Sequence, residues 1–255
     1  MGKVIAVANQ KGGVGKTTTA VNLAASLAYQ DKKILLVDSD AQGNATSGLG
    51  VNKAEVATDI YDVLINDASI QNAIVETSRE NLTLVPATIQ LAGGEVELTS
   101  LPHRERRMKQ AIDTVKADYD FVIIDCPPSL GNLTINTFTA ADTVLIPVQS
   151  EYYALEGLSQ LLNTIQLVQR HFNPTLTIEG VLMTMVDMRT NLSKEVVEEV
   201  RKYFGEKVYQ TQIPRTVRLS EAPSYGQSIV DYDLNSKGAQ VYLALAKEVL
   251  ANDAE

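Results

Sequence analysis

The stretch Ala8-Asn9-Gln10-Lys11-Gly12-Gly13-Val14-Gly15-Lys16-Thr17-Thr18 lies between two segments with clear secondary-structure signals. The apolar run at residues 4–8 predicts a buried strand, and the Ala- and Leu-rich run at residues 19–28 predicts a helix. A glycine-rich turn between a strand and a helix is the setting of a phosphate-binding loop. Its backbone N–H groups and the positive end of the helix dipole converge there on one anion. We therefore expect phosphate contacts from Lys11, Gly12, Gly13, Val14, Gly15, Lys16, Thr17 and Thr18.

This loop carries two lysines. The common pattern G-x-x-x-x-G-K-[ST], aligned on Gly15-Lys16-Thr17, would place a glycine at position 10, where this chain has Gln10 followed by Lys11. Lys16 is expected to supply a point charge to the terminal phosphates, and the Thr17 hydroxyl to ligate Mg²⁺. The alternative is a glycine-rich turn without a ligand. Paired lysines and threonines have no packing role in such a turn, so phosphate binding is favoured.

A second predicted strand, residues 32–38, ends in Asp38, and Asp40 follows it. Ligands of parallel sheets lie beyond the carboxyl ends of the strands, so Asp38 and Asp40 should emerge beside the phosphate loop. An isolated Asp pair in a Gly-containing loop would more simply be two solvated carboxylates. Beside a phosphate loop, we expect Asp40 to orient the water that attacks a phosphoryl group.

A second acidic strand end comes from the β-branched run at residues 120–125, which predicts a buried parallel strand ending in Asp125. Asp125 is expected to hold Mg²⁺ through water, opposite Thr17. Pro127-Pro128 should end the strand, and residues 126–131 are a candidate switch segment near the γ-phosphate. Cys126 follows an apolar run and is interpreted as a small buried hydrophobe and not as a nucleophile.

Composition sets limits on the class of protein. The chain has 255 residues, 45% of them hydrophobic and 21% charged, which is enough for one α/β domain spanning 1–255. No apolar run reaches the roughly 18 residues of a membrane span, and a single cysteine fits a reducing, cytoplasmic compartment. The net charge of −9 alone argues against a nucleic-acid partner, although a local basic patch would be enough to bind one.

Further strands are predicted at residues 82–86, 144–148, 178–186 and 208–214. Helices are predicted at residues 53–80, 103–115 and 194–204, the last capped by Ser193 and stopped by Gly205, and at 236–250. Strands and helices therefore alternate along the chain. This order predicts an α/β fold, a mostly parallel twisted β-sheet flanked by helices on both faces.

The K-G-G-V-G-K-T-T string resembles the deviant Walker A P-loop ATPases, which include the ParA/Soj partition ATPases, MinD and nitrogenase iron protein. The resemblance is strongest to the chromosomal ParA/Soj branch. It covers nearly the whole chain through residues 9–18, 38–50, 85–93, 122–131, 149–162 and 213–223. Two positions depart from that family: Ala41 replaces a usual proline, and Thr216 stands where asparagine is common.

The resemblance implies an ATPase that uses ATP and Mg²⁺ and forms a homodimer with the nucleotides sandwiched between subunits. Lys11 would reach the phosphates of the neighbouring subunit, as a cation supplied in trans does. Gly12 would stay small so that the second subunit can approach. Pro214 would border the adenine, and Glu151 would contact the nucleotide across the dimer.

The same resemblance implies non-specific binding of double-stranded DNA by the ATP-bound dimer, with Arg189 and Arg218 at the DNA-contacting positions. Each arginine taken alone is equally consistent with a solvated surface charge. A dimer would bring both copies onto one face, which answers the objection from net charge. The implied partner is a ParB/Spo0J-like centromere-binding protein, and the implied location is the cytoplasm, on the nucleoid.

Three other functions are alternatives to a partition ATPase. A MinD-like switch in cell division requires a basic amphipathic C-terminal helix, whereas residues 246–255 end in acidic residues, so no membrane partner is expected. A cluster reductase of the iron-protein type needs two cysteines from each subunit, and this chain has one. A phosphotransferase would need an acceptor site, which the sequence does not indicate.

Overall fold

The fold is seen in a computed structural model that describes residues 2–151 and 156–253. One sheet of seven strands is present in these residues, in the order β3-β4-β2-β5-β1-β6-β7. The strands are β1 (Lys3–Val7), β2 (Ile34–Asp38), β3 (Val75–Glu76), β4 (Leu82–Val85), β5 (Phe121–Asp125), β6 (Thr143–Gln149) and β7 (Thr177–Thr184). Neighbouring strands are parallel except β3 and β4. The predicted mostly parallel sheet is confirmed.

Helices cover both faces of the sheet. They are α1 (Lys16–Ala28), α2 (Asn44–Gly48), α3 (Ile60–Ile65), α4 (Ile70–Ala73), α5 (Leu91–Glu97), α6 (Arg107–Asp113), α7 (Asn132–Ala140), α8 (Glu156–His171), α9 (Asn191–Phe204), α10 (Val217–Glu221), α11 (Ile229–Tyr232) and α12 (Lys237–Asp253). Helices α1, α11 and α12 pack on one face, and α3 and α6 to α9 pack on the other. The α/β class with two helical layers is as predicted.

Strand β1 lies between β5 and β6 and is buried on both faces. Val4 and Ala6 join the core on one side of the sheet, while Ile5 and Val7 join the core on the other. The chain moves from β1 outward to β2 and β4, returns to β5, and crosses to β6 on the opposite side. The carboxyl end of β1 is thus the point where the strand order reverses, the place at which open α/β sheets bind ligands.

The predicted strand at residues 208–214 is wrong. Only two isolated bridges form there, one between Val208 and Val181 and one between Pro214 and Val186. The N–H groups of Gln210 and Thr211 are not available to a strand ladder, because they donate to the two carboxylate oxygens of one α12 side chain at 2.9 and 3.0 Å. Pro214 itself has no N–H to donate.

The single helical stretch predicted at residues 53–80 is also wrong. It consists of a 3₁₀ turn at Lys53–Glu55, the helices α3 and α4, and strand β3. Helix α3 stops where Asp67 adopts a left-handed conformation, with φ of 56°. The helix predicted at residues 103–115 starts as a 3₁₀ turn, Arg104–Arg106, before α6 begins.

Helix α9 is capped by Thr190 and not by Ser193. The Thr190 hydroxyl accepts a hydrogen bond from the Ser193 N–H, as an N-cap does. The Ser193 hydroxyl instead accepts from the Asp187 N–H and donates to Ser150. Gly205 ends the helix, as predicted, with φ of 58°. Within the similarity string at 149–162, residues 152–155 lie outside the described residues.

Candidate functional site

The loop after β1 forms an open anion cradle. Gly13 and Gly15 have φ of 74° and 89°, a left-handed conformation that glycine adopts without strain. Helix α1 begins directly after Gly15 and has no side-chain cap, so its first N–H groups face the loop unpaired by a cap. The loop is held from outside by two hydrogen bonds, Asn9 Nδ2 to the Pro147 carbonyl at 2.7 Å and Thr184 Oγ1 to the Val14 carbonyl at 2.8 Å.

Lys16 lies inside this cradle. Its ammonium donates to the Lys11 carbonyl at 3.0 Å, and the residue is only 7% exposed. Burial lowers the pKa of Lys16, and the negative charge of Asp125 opposes that shift. A buried cation with one neutral hydrogen-bond partner gains from an anion placed beside it. The side chain is therefore positioned to bind a phosphate.

Two aspartates at the carboxyl ends of neighbouring strands lie beside the cradle. Asp38 of β2 and Asp125 of β5 are register partners, and both are fully buried. Neither carboxylate oxygen of Asp125 has a hydrogen-bond partner among the described residues. Burial and the nearby Asp38 carboxylate raise the pKa of Asp125 well above its usual value, while the adjacent Thr17 hydroxyl opposes the rise without reaching hydrogen-bond geometry.

This unpartnered pair of oxygens fits a metal ion. Mg²⁺ binds one or two protein oxygens together with water and substrate phosphates, so it needs only Asp125 and Thr17 from the chain. Among the described residues, no group of three or more His, Cys, Asp or Glu side chains forms a metal site by itself. The donor set therefore suits a cation that arrives with a phosphate ligand. The structure brings Thr17 and Asp125 together, and their role as Mg²⁺ ligands stays a prediction.

Asp38 has a structural role that sequence reasoning missed. Its Oδ2 atom accepts from both the N–H and the hydroxyl of Thr46 at 2.8 Å, and Oδ1 accepts from the Asp40 N–H at 3.2 Å. These bonds clamp the two ends of the loop at residues 39–46. Burial raises the pKa of Asp38 to about 6, and the hydrogen bonds from Thr46 oppose the shift. The sequence shows an aspartate at the end of a predicted strand, but it does not show that Thr46 is the hydrogen-bond partner of that aspartate.

Asp40 is half-buried at the edge of the cradle, at the position the sequence predicted. Its Oδ1 atom accepts from the Gln42 N–H at 2.9 Å, which leaves Oδ2 open. Its charge acts on Lys16, Asp38 and Asp125, so it lies near all three. Ala41, where the family usually has proline, packs against the core next to it. A carboxylate here can accept a hydrogen bond from a water on the phosphate side.

A cavity of about 450 Å³ adjoins the cradle on the side away from Asp40. Its lining combines the loop with the ends of β6 and β7 and the segment before α10, including Gly13, Thr18, Gln149, Met185, Pro214 and Thr216. Pro214 therefore borders a space next to the phosphate loop, and its contact with a base stays a prediction. Thr216 lines the same space and also caps α10 by accepting from the Leu219 N–H at 3.3 Å. The departure from asparagine thus retains a polar group there.

Lys11 lies at the open rim of the cradle. Its ammonium is 3.2 Å from Glu151 Oε2, and the side chains are 38% and 50% exposed. The predicted trans lysine and the predicted cross-dimer glutamate are thus paired with each other in one subunit. Gly12 is exposed, its φ is not positive, and a Cβ added there would meet no described residue within 4 Å. No contact among the described residues requires glycine at position 12.

The candidate switch segment at residues 126–131 is followed by an unexpected cap. Glu95 of α5 accepts from the N–H groups of Asn132 and Leu133 at 2.6 and 3.3 Å, at the start of α7. A Cβ on Gly131 would lie 1.9 Å from this carboxylate. Sequence reasoning missed Glu95, since 37 residues separate it from Asn132. Cys126 is 1% exposed, and burial raises the pKa of its thiol, as expected for a packing residue.

Arg189 and Arg218 are both exposed, but both are paired with carboxylates. Arg189 makes two bonds to Asp187, at 2.8 and 2.7 Å. Arg218 donates to Glu221 at 3.1 Å and lies over the Tyr232 ring. Neither arginine lines the cavity next to the phosphate loop. Their exposure agrees with a surface role, and their ion pairs were not predicted.

Comparison with known proteins gives one consistent family. Residues 2–178 match the family described as "AAA domain". The chain is 65% identical to the sporulation initiation inhibitor protein Soj of Bacillus subtilis, over 99% of this chain and 100% of that protein. It is 54% identical to the chromosome partitioning protein ParA of Myxococcus xanthus, over 99% of this chain and 89% of that protein.

A solved structure shares the fold over the full length. It is titled a cobyrinic acid a,c-diamide synthase from Mycobacterium smegmatis with bound ATP analog and magnesium. It is 40% identical, with a TM-score of 0.88, and the match covers 100% of this chain and 97% of that one. The two-lysine loop, the acidic strand ends and these matches along the whole chain agree. This chain belongs to the ParA/Soj family of chromosome-partitioning ATPases.

Proposed function

We propose that this chain is an ATP-controlled switch that dimerises with ATP, binds DNA without sequence preference, and hydrolyses ATP to reset itself during chromosome or plasmid partitioning. The observation that carries the proposal is the rim of the anion cradle. There a partly exposed lysine, Lys11, stands beside Gly12, where an added Cβ would meet no described residue within 4 Å. A second subunit can approach closely at this point. Lys11 can exchange Glu151 for a phosphate of that subunit.

The chemistry assigned to each residue follows from its position. The loop N–H groups and Lys16 bind the β- and γ-phosphates of ATP, and Thr17 and Asp125 hold Mg²⁺. When bound, the ion neutralises charge that builds up on the phosphate oxygens. Asp40 orients a water for in-line attack on the γ-phosphate, while Lys11 from the neighbouring subunit stabilises the charge of the transition state. Pro214 borders the adenine.

Two other functions fit less well. A membrane-bound switch of the MinD type needs a free amphipathic C-terminal helix, whereas the apolar side chains of α12 are buried against α1 and the sheet. No helix within residues 2–151 and 156–253 has the length and apolarity to cross a membrane. A synthase that worked through a cysteine nucleophile would need an accessible thiol of lowered pKa. The single cysteine of this chain is buried and has a raised pKa.

The proposal extends to location and partner. A protein that binds DNA only with ATP would concentrate on the nucleoid in the cytoplasm. A centromere-binding protein of the ParB/Spo0J type would stimulate hydrolysis and release it. Both statements rest on the family resemblance.

The test is DNA retention with ATP, with ADP and without nucleotide across a salt series. Arg189→Ala combined with Arg218→Ala should abolish retention with ATP while the dimer persists. The control is Arg170→Ala with Arg201→Ala, an equal loss of charge in the last turns of α8 and α9. Unchanged binding in the Arg189, Arg218 variant at low salt would contradict the assignment. Equal binding with ATP and ADP would contradict the switch.

A further inference from the structure

A groove of about 780 Å³ lies next to the nucleotide cavity. It runs between the segment after β7 and the segment before α10, with the first residue of α12 at one side. It is lined by Met185, Val186, Asp187, Met188, Arg189, Gln212, Pro214, Arg215, Val217 and Lys237. Met185, Pro214 and Arg215 also line the nucleotide cavity, so the two spaces share a wall. The groove is therefore placed to respond to nucleotide.

The groove concentrates positive charge on a chain whose net charge is −9. Three of its lining residues are cations, Arg189, Arg215 and Lys237, and one is an anion, Asp187. Arg215 and Lys237 are exposed, and neither has a carboxylate within 4.0 Å among the described residues. Two unpaired cations in one groove create a local field that attracts a polyanion.

The third cation of the groove, Arg189, is hydrogen-bonded to its one anion, Asp187. Arg189 presents Nε and Nη2 to the two oxygens of Asp187, at 2.8 and 2.7 Å, and its own N–H donates to Oδ1 at 3.1 Å. These bonds lower the pKa of Asp187 to about 2, so the carboxylate stays charged at working pH. The planar fork that binds a phosphate with two hydrogen bonds is thus already occupied. A phosphate must compete with Asp187 for it.

We propose that this groove takes a stretch of the DNA phosphodiester backbone, with Lys237 as a phosphate contact. Asp187 weakens the complex by holding Arg189. The proposal rests on the DNA binding proposed above. It adds two residues, Lys237, which strengthens DNA binding, and Asp187, which weakens it. Such a carboxylate keeps the affinity low enough for the protein to leave DNA once the switch resets. An acidic protein segment is the other polyanion that the charge would admit, and the test separates the two.

The experiment measures affinity for a fluorescent 30-base-pair duplex with a non-hydrolysable ATP analogue and Mg²⁺, from low to moderate salt. Lys237→Ala should weaken binding about 3- to 10-fold and reduce the salt slope by about 0.9, the loss of one phosphate contact. Asp187→Asn should tighten binding by a similar factor, since the amide frees the Arg189 fork. Matched controls are Lys202→Ala and Glu199→Gln, an exposed ion pair in the last turns of α9. Both controls should leave affinity unchanged.

The effect of Asp187 must act through Arg189. Asp187→Asn should therefore tighten binding in the wild type and have little effect in an Arg189→Ala background. Equal tightening in both backgrounds would overturn the pairing, because removal of any negative charge would then explain it. Thermal unfolding of each variant checks that it folds. If Asp187→Asn fails to fold, Asp187→Ser gives the same comparison.

Two outcomes separate this inference from the proposed function. If the wild type does not bind DNA with ATP, the proposed function fails. If the wild type binds and loses binding in the Arg189→Ala, Arg218→Ala variant, but Lys237→Ala and Asp187→Asn equal their controls, only the groove assignment fails. It also fails if Lys237→Ala weakens binding of a polyglutamate peptide and leaves DNA binding unchanged.

Discussion

Asp125 is a fully buried carboxyl group whose two oxygens have no partner in the described chain. A buried polar group without a hydrogen bond costs free energy of folding, and an ionised one costs more. Such a residue persists where a ligand supplies the missing partner. We therefore infer that Asp125 lowers the stability of the protein without ligand, and that a bound Mg²⁺ would supply the missing partner.

We predict that Asp125→Asn stabilises the protein when nucleotide and metal are absent. The unfolded carboxyl ionises near its usual pKa of 3.8, whereas the folded one holds its proton to higher pH. Between the two pKa values the folded state binds more protons, so wild-type stability falls as pH rises. Asp125→Asn has no carboxyl at this position, so its stability does not fall with rising pH for this reason. Urea unfolding with a chelator should show a gain of about 1–3 kcal/mol at pH 8 and a smaller gain at pH 4.5.

Addition of MgATP provides the contrast for this experiment. It should stabilise the wild type by mass action and stabilise Asp125→Asn less, because the variant keeps Lys16 and the loop N–H groups but loses the metal ligand. A variant that is less stable than the wild type at both pH values would contradict the interpretation. Asp125 would then have partners that the structure does not show.

Asp40 is expected to act on the attacking water and not on nucleotide affinity. We predict that Asp40→Ala slows ATP turnover at least about 100-fold, the scale for loss of one positioned catalytic group. Nucleotide affinity should change little, because Lys16 and the loop N–H groups hold the phosphates. Steady-state phosphate release and nucleotide titration measure the two quantities. Near-normal turnover would refute the role.

The geometry of the candidate phosphate loop could be predicted because its contacts are local in sequence, whereas the roles of its residues stay predictions. A loop of eight residues that precedes a helix fixes its own N–H groups, so its spacing carries the chemistry. The ion pair of Arg189 was equally local and was missed, although a carboxylate two residues before an arginine is a signal that could have revealed it. Glu151 and Lys11 pair across 140 positions, a contact that no local pattern encodes.

Among the helices, α7 is capped at its N-terminus by a side chain of another helix, α5. Glu95 of α5 accepts from the N–H groups of Asn132 and Leu133, and the Asn132 amide donates to the Glu95 carbonyl at 3.2 Å. A negative charge at a helix N-terminus also interacts favourably with the helix dipole. This contact joins α5 to the end of the candidate switch segment.

We predict that Glu95→Ala lowers the free energy of unfolding by about 0.5–2 kcal/mol, the usual cost of losing an N-cap. The control is Glu195→Ala, an exposed glutamate of α9, which should stay within about 0.5 kcal/mol of the wild type. Chemical denaturation gives both values. Equal stability of the two variants would show that the cap contributes nothing.

Element boundaries were predicted less well than element types. The strands next to the site came out within two residues because continuous β-branched runs mark buried parallel strands. The segment at residues 208–214 has strand composition, but Glu248 of α12 takes the hydrogen bonds that a strand would need. That glutamate lies about 38 positions away in sequence. Tertiary contacts of this kind override propensity.

In the whole molecule, the proposed ATP-controlled switch requires two subunits. In one subunit the nucleotide site is open at Gly12, and the lysine expected to complete the neighbouring site is paired with Glu151. An exposed ion pair of this kind is weak, so a phosphate can displace it. A Cβ at position 12 would meet none of the residues that the structure describes in its own subunit. Gly12→Val should therefore fold as the wild type does and block only the approach of the second copy.

Sedimentation of Asp40→Ala with MgATP shows whether ATP brings two chains together, because slow turnover preserves the ATP-bound state. We predict a species of twice the 27.7 kDa chain mass with ATP and a single chain with ADP. Gly12→Val in the same background should remain a single chain with either nucleotide. A single chain for Asp40→Ala at saturating ATP, with nucleotide binding intact, would contradict the account.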